Sequence, residues 1–232
     1  MSENSKILVS PGLKPVHSFD LWGVLLDQQV LGERKIELYR ETAGREKVPT
    51  DEIESVVRDY RDLLSGKPRA TGSKRIDIIY ALGGGELDEQ IQQDYTLAFI
   101  QDALEVMRQI IEAGEGVLIF TSKPAPGLRE QLASRLGKNI GEVRWGNKGN
   151  PATFRSVYDL EKKLGNQLVS HTADELPELL AARKTRLFPS KGLIYVNRNE
   201  SNSEDEVRKA GIERYINDLR EFEYTALVSF GL

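Results

Sequence analysis

The stretch VHSFDLWGVLLD, residues 16–27, decides how the chain is organised. A short apolar run ends in an acidic side chain, Asp20, and a glycine follows three residues later at Gly23. An apolar strand that ends in a carboxylate and then turns sharply puts that carboxylate at the carboxyl edge of a sheet, where α/β proteins bind their ligands. Asp20 is therefore the first candidate for a functional residue.

The composition is that of an ordinary globular protein. The 232 residues are 39% hydrophobic and 29% charged, which suffices for one sizeable core and an inserted subdomain. A net charge of -4 provides no electrostatic footprint for DNA or RNA, so we expect no nucleic-acid partner. No apolar run approaches the roughly 20 residues that span a bilayer, and the first residues lack the pattern of a signal peptide. We therefore expect no membrane association and a cytoplasmic location.

Cysteine and histidine, the side chains that bind the softer metal ions, are absent or scarce. The chain has no cysteine, which excludes disulfides, thiolate nucleophiles and cysteine-ligated metal sites. The two histidines, His17 and His171, are too few for a histidine-rich site.

Residues 31–104 have a helical pattern. Apolar side chains from Ile53 to Leu64 recur at spacings of three and four, and Pro49 with Thr50 marks the start of this amphipathic helix. Breaks at residues 65–73 and 83–85 predict a second short helix over residues 74–82 and a long helix from residue 86. We predict a helical cap over residues 31–104 and a core made of residues 1–30 and 105–232.

The rest of the chain alternates strands with helices. We predict strands over residues 16–21, 117–120, 142–146, 167–170 and 192–198. The turn after the second strand begins with Thr121 and Ser122, and Lys148 follows the third. This alternation predicts an α/β fold with a Rossmann-like parallel sheet.

Four motifs in this order resemble those of the haloacid dehalogenase superfamily of aspartate-nucleophile hydrolases. FDLWGVLLD resembles the first motif and TSKP the second, Lys148 in KGNPATF resembles the third, and VSHTADELPELLAA resembles the fourth. The resemblance covers nearly the whole chain and implies a Rossmann-like core with an inserted helical cap. It also implies a hydrolase that acts on a small anionic metabolite, most simply a phosphate ester.

The resemblance implies a role for each motif residue. Asp20 would be the nucleophile, with Thr121 and Lys148 as catalytic partners that stabilise negative charge. The predicted substrate-binding residues are Trp22, Ser122, Ser170 and, from the cap, Arg34. The predicted magnesium (Mg²⁺) ligands are Asp20, Asp174 and Glu175, joined by the main-chain carbonyl of residue 22.

Two positions depart from the phosphatase pattern. Trp22 stands where the phosphatases of the family have a second aspartate, the general acid and base, and an indole cannot exchange a proton in that role. His171 stands where the fourth motif usually has a carboxylate. An aromatic residue at position 22 resembles the metal-independent 2-haloacid dehalogenases instead. A third reading is a catalytically degenerate member that binds a ligand or a protein partner.

Structural explanations compete with these roles. Thr172 and Glu175 have the spacing of a helix capping box, which would explain the fourth motif without a metal. Arg34 could lie on a solvated helix face, and His171 is more simply a hydrogen-bonded histidine at the end of a strand than a catalyst.

Overall fold

A computed structural model describes residues 7–64, 95–122, 125–137, 140–198, 202–222 and 228–230. The chain divides into two compact units, Met1–Leu26 with Phe99–Leu232, and Asp27–Ala98. The helix predicted over residues 74–82 lies outside the described residues, as does the first part of the one predicted from residue 86. From residue 95 onward, a 3₁₀ turn at Tyr95–Leu97 precedes a helix that begins only at Gln101.

Eight strands and seven α-helices are described. The strands are β1 Ile7–Val9, β2 Lys14–Asp20, β3 Gly116–Thr121, β4 Val143–Trp145, β5 Asn166–Ala173, β6 Leu193–Val196, β7 Arg214–Ile216 and β8 Val228–Phe230. The helices are α1 Gln28–Arg45, α2 Thr50–Leu64, α3 Gln101–Glu112, α4 Leu128–Leu136, α5 Pro151–Lys163, α6 Leu176–Thr185 and α7 Glu204–Lys209.

The first unit is built on a six-stranded parallel sheet with the strand order β4-β3-β2-β5-β6-β7. The fold is therefore α/β and Rossmann-like. Strand β2 lies between β3 and β5, so its carboxyl end is in the middle of the sheet. Strands β1 and β8 form a separate parallel pair.

One face of the sheet packs against α5 and α6. Side chains of β2 and β3 lie in one cluster with side chains of these two helices, because alternate residues of a strand point to the same face. The strand members are Val16, Leu118 and Phe120, and the helical members include Phe154, Val157 and Leu179.

A β-bulge changes the register between β2 and β5. Val16 pairs with Leu168, but the next residue, His17, pairs with Ser170, so Val169 is the extra residue. A shift of one residue exchanges the two faces of a strand. As a result His171, and not Ser170, lies beside Ser18 in the register.

The described part of the second unit is a helix pair. Asp27 caps α1, since its Oδ1 accepts hydrogen bonds from the backbone N–H groups of Gln29 and Val30. The two helices pack through Ile36, Ala43, Ile53, Val57 and Tyr60. Over the described residues, no helix combines the length and the apolar character that crossing a membrane requires.

Candidate active site

Asp20 is buried at the carboxyl end of the central strand, with 2% of its surface exposed. Its Oδ1 atom accepts a hydrogen bond of 2.6 Å from the backbone N–H of Leu21 and forms an ion pair with the ammonium group of Lys148. Strand β2 thus presents the carboxylate where the following turn supplies a donor and a distant segment supplies a positive charge.

Lys148 is held in the turn that leads into α5. Asn147 Oδ1 accepts a hydrogen bond from the N–H of Gly149, and Asn150 caps the helix ahead of Pro151. The ammonium group is buried and contacts two carboxylates, that of Asp20 and Oε2 of Glu178 at 2.6 Å. Lys148 therefore bridges the central strand and α6.

Glu178 is a site residue that the sequence analysis missed. It lies in the first turn of α6, is 2% exposed, and contacts His171 Nε2 through Oε1 at 2.7 Å. The available signal was its helical spacing, since Glu178 shares a face with the small buried residues Ala181, Ala182 and Thr185. An acid on the buried face of a helix indicates a paired or functional carboxylate.

The three buried carboxyl groups of the site resist ionisation. Burial raises the pKa of Asp20 to about 7, and the charge of Glu178 adds to this effect. Burial likewise raises the pKa of Asp174 to about 7, with a contribution from the charge of Asp20. Burial raises the pKa of Glu178 to about 7 although Lys148 acts in the opposite direction. Burial acts to lower the pKa of Lys148, but the carboxylates of Asp20 and Glu178 outweigh it and raise the pKa.

Asp174 lies against the turn that follows β2. Gly23 has a φ of +75°, and a Cβ built on it would lie 2.0 Å from Asp174 Oδ2. Only glycine lets this carboxylate approach the turn. In the described part of the chain, no group of three or more histidine or acidic side chains is arranged to hold a metal.

A cavity of about 350 Å³ opens beside these groups. Its wall contains Lys148 and Glu178 together with Ser122 and Trp145. The indole of Trp145 is 64% exposed, and its residue pairs with Thr121 in the register of β3 and β4. A bound molecule would meet the buried charges on one side and an aromatic surface on another.

The other predicted site residues lie at different depths. Thr121 is fully buried at the end of β3, Ser122 is exposed, and Trp22 is half-buried beside Gly23. Ser170 is fully buried and its hydroxyl contacts His17 Nδ1 at 2.7 Å. We therefore leave Ser170 out of the proposed substrate site.

Glu175 and Arg34 are exposed or partly exposed. Glu175 lies on the cavity wall and is the N-cap residue of α6 without a side-chain capping bond. Thr172 lies within β5, so the capping-box interpretation of Thr172 and Glu175 is wrong. Arg34 belongs to the second unit, where it forms an ion pair of 2.9 Å with Glu37, and its contact with a substrate stays a prediction.

Solved structures with the same fold come from several bacteria. A protein provisionally assigned as a phosphoglycolate phosphatase from Lactobacillus delbrueckii subsp. bulgaricus is 14% identical, with a TM-score of 0.58 over 94% of this chain and 99% of that one. A haloacid dehalogenase-like hydrolase, also a provisional assignment, from Bacteroides fragilis is 14% identical, with a TM-score of 0.52 over 89% and 98%. This chain has a haloacid dehalogenase fold.

A third structure with the haloacid dehalogenase fold contains a ligand. A variant of CbbY from Rhodobacter sphaeroides, in complex with xylulose-1,5-bisphosphate, is 16% identical, with a TM-score of 0.56 over 94% of this chain and 100% of that one. No protein-family model and no curated protein matches the sequence.

Proposed function

We propose that this protein is a phosphatase-like hydrolase that uses Asp20 as its nucleophile on a small phosphate ester. The observation that carries the proposal is the buried bridge from Asp20 through Lys148 to Glu178, placed beside a cavity at the carboxyl edge of the sheet. The names of the similar structures support it, since they include a provisional phosphatase and a complex with a phosphorylated sugar.

The proposed reaction has two steps. An oxygen of the Asp20 carboxylate attacks phosphorus, the bond from phosphorus to the leaving-group oxygen breaks, and that oxygen takes a proton from water. Water then hydrolyses the acyl phosphate, which releases inorganic phosphate and restores the carboxylate. Lys148 offsets the negative charge of the nucleophile and of the phosphoryl oxygens, and hydroxyl and backbone donors of Thr121 and Ser122 bind those oxygens.

The residues present fit a magnesium ion. Three carboxyl groups, those of Asp20, Asp174 and Glu178, are buried near the single ammonium group of Lys148. When ionised, they carry more negative charge than Lys148 neutralises. Asp20, Asp174 and the main-chain carbonyl of Trp22 would hold the cation, because Mg²⁺ needs few protein oxygens and keeps several waters. When bound, it would polarise the phosphoryl group and neutralise charge.

Because Trp22 stands where the general acid and base would be, we expect slow turnover. The usual aspartate at this position protonates the leaving group, and a missing general acid or base costs about 10²- to 10⁴-fold in rate. We expect the fastest substrates to be esters whose leaving groups need no protonation.

The alternative is a 2-haloacid dehalogenase-like hydrolase, in which Asp20 displaces halide from carbon without a metal. The aromatic side chain of Trp22 is the observation that favours it. Lys148 and Ser122 would then bind the substrate carboxylate.

Assays of the purified 232-residue chain test both functions. Phosphate release is measured from a panel of phosphate esters with magnesium, and halide release from 2-haloacids with EDTA. Phosphate release that is lost in Asp20→Asn supports the phosphatase, and halide release with EDTA supports the dehalogenase. Neither product at any pH between 5 and 9 would contradict the hydrolase and favour a degenerate binding protein.

A further inference from the structure

A second layer of buried polar side chains lies behind Glu178. His171 is fully buried, with its Nε2 atom 2.7 Å from Glu178 Oε1 and its Nδ1 atom 2.8 Å from Ser18 Oγ. The hydroxyl of Ser18 donates a hydrogen bond of 2.9 Å to the carbonyl oxygen of Ser170. The chain of contacts therefore runs from the central strand through the imidazole to the carboxyl group beside Lys148.

The hydrogen-bond donors and acceptors fix the orientation of the imidazole. Ser18 has one hydroxyl proton and gives it to Ser170, so its oxygen accepts a hydrogen bond from Nδ1–H of His171. The Nε2 atom is then the one that faces Glu178. A flipped ring would place carbon atoms against both partners.

Aromatic packing holds the same ring in place. The His171 ring lies 5.1 Å from the Phe154 ring, 6.2 Å from Phe120 and 6.1 Å from Phe188, measured between centroids. The bulge at Val169 is what turns His171 to this face, beside Ser18. Both polar and apolar contacts thus leave the imidazole one position.

We propose that His171 and Ser18 are positioning residues that hold Glu178 so that Lys148 bridges it to Asp20. This rests on the proposed hydrolase function, because the bridge matters only if Asp20 reacts. Glu178 uses Oε1 for His171 and Oε2 for Lys148, so the imidazole fixes the direction in which the second oxygen points. Without that contact the carboxyl group gains rotamers and Lys148 loses its second anchor.

The other histidine provides a matched control. His17 is also fully buried and also contacts two side chains, Ser170 Oγ at 2.7 Å and Glu115 Oε2 at 2.8 Å. Its ring packs edge-on against Phe222. Glu115 precedes β3, at the amino end of the strand, whereas Asp20 is at the carboxyl end of β2. Loss of His17 therefore damages the core without touching the bridge.

The first experiment compares His171→Phe with His17→Phe. Both should lower the melting temperature, but kcat for the best phosphate ester should fall roughly 10- to 100-fold only in His171→Phe, since small misplacements of catalytic groups have effects of that size. Ser18→Ala should lower kcat in the same direction and by less. Equal kcat losses in the two histidine variants would overturn the proposal.

A double-mutant cycle tests whether His171 acts through Glu178. Glu178→Leu should lower kcat, and adding His171→Phe should lower it little further, since both changes remove the same contact. If the two losses multiply instead, His171 acts through another route and the proposal fails.

The last measurement does not depend on activity. With only two histidines in the chain, the imidazole nitrogens can be followed by ¹⁵N NMR and assigned with His17→Phe. Glu178→Leu should shift the His171 nitrogen signals and leave those of His17 in place, and unchanged His171 signals would show that the contact is absent. If the wild-type protein hydrolyses no ester while the shift occurs, the proposed function fails and the contact stands.

Discussion

At the scale of single residues, Asp174 combines a proposed function with a cost in stability. Its carboxyl group is buried near Asp20, and its pKa of about 7 means that ionisation is unfavourable in the folded state. At pH 8 without metal, Asp174→Asn should therefore stabilise the fold by roughly 4 kcal/mol, since the pKa is raised from 3.8 to about 7 and each pKa unit corresponds to about 1.4 kcal/mol. Urea unfolding in EDTA measures this difference.

The same variant should lose the stabilisation that magnesium provides to the wild-type protein, because one carboxylate ligand is gone. Glu175→Gln is the matched control: Glu175 is exposed, so its removal should leave both the stability and the magnesium response unchanged. If Glu175→Gln abolishes the magnesium response and Asp174→Asn does not, Glu175 is the ligand.

Trp145 is the residue that we expect to select the leaving group. Its exposed indole forms part of the cavity wall next to Ser122 and Lys148. Trp145→Ala should raise KM several-fold for esters with a ring in the leaving group, with kcat nearly unchanged, because stacking binds ground and transition states alike. Trp145→Phe should retain most of the affinity. If Trp145→Ala raised KM equally for an ester with a ring and for a small acyclic ester, this role would be contradicted.

Some site residues could be predicted and others could not. Asp20 directly follows an apolar run and Lys148 follows a short predicted strand, so their places near strand ends were readable from the sequence. Glu178 was not, because its contacts with Lys148 and His171 join segments 30 and 7 residues apart in the chain. Periodicity indicates which face an acid lies on, but not which cation it meets.

At the scale of elements, the turn after β2 tests how the site is assembled. Gly23→Ala adds a Cβ where Asp174 Oδ2 lies and strains a backbone with a φ of +75°. Left-handed φ alone costs an L-residue roughly 1 kcal/mol. We expect Gly23→Ala to lower the free energy of unfolding by that amount and also to displace the Asp174 carboxylate. Magnesium binding, measured by calorimetry, should therefore be weaker.

Gly12→Ala separates the two effects. Gly12 has a φ of +79°, and a Cβ built on it has nothing within 4 Å. This variant should show the backbone cost alone, with magnesium binding and activity unchanged. Equal magnesium affinities in the two glycine variants would mean that Asp174 does not depend on the turn.

The elements were predictable where local pattern and tertiary structure agree. The helix at Thr50–Leu64 follows the apolar spacing that predicted it. The described part of the tail contains a 3₁₀ turn at Leu219–Glu221 and the strand Val228–Phe230. The strand pairs with Ile7–Val9, more than 200 residues away, and no local pattern encodes such a partner. The bulge at Val169 is equally a product of pairing.

At the scale of the whole molecule, the buried carboxyl groups should govern how stability depends on pH. Asp20, Asp174 and Glu178 have pKa values raised to about 7 in the folded state, above their ordinary values of 3.8 to 4.5. Between about pH 4.5 and pH 7 the folded protein therefore holds more protons than the unfolded chain. Stability falls as pH rises through that window.

The titration of His171 changes stability with pH in the opposite direction, and it involves a single proton. Burial lowers its pKa from 6.5 to about 3, so it favours the folded state more as pH rises from 3 to 6.5. Because three carboxyl groups outweigh one imidazole, the net effect is a loss of stability of roughly 5 kcal/mol between pH 5 and pH 7.5. Urea unfolding of the metal-free protein across this range should show the decline, and magnesium should reverse it most strongly at the alkaline end. In Asp174→Asn the slope should be shallower, and a flat or rising profile in the wild-type protein would mean that the three carboxyl groups ionise normally in the fold.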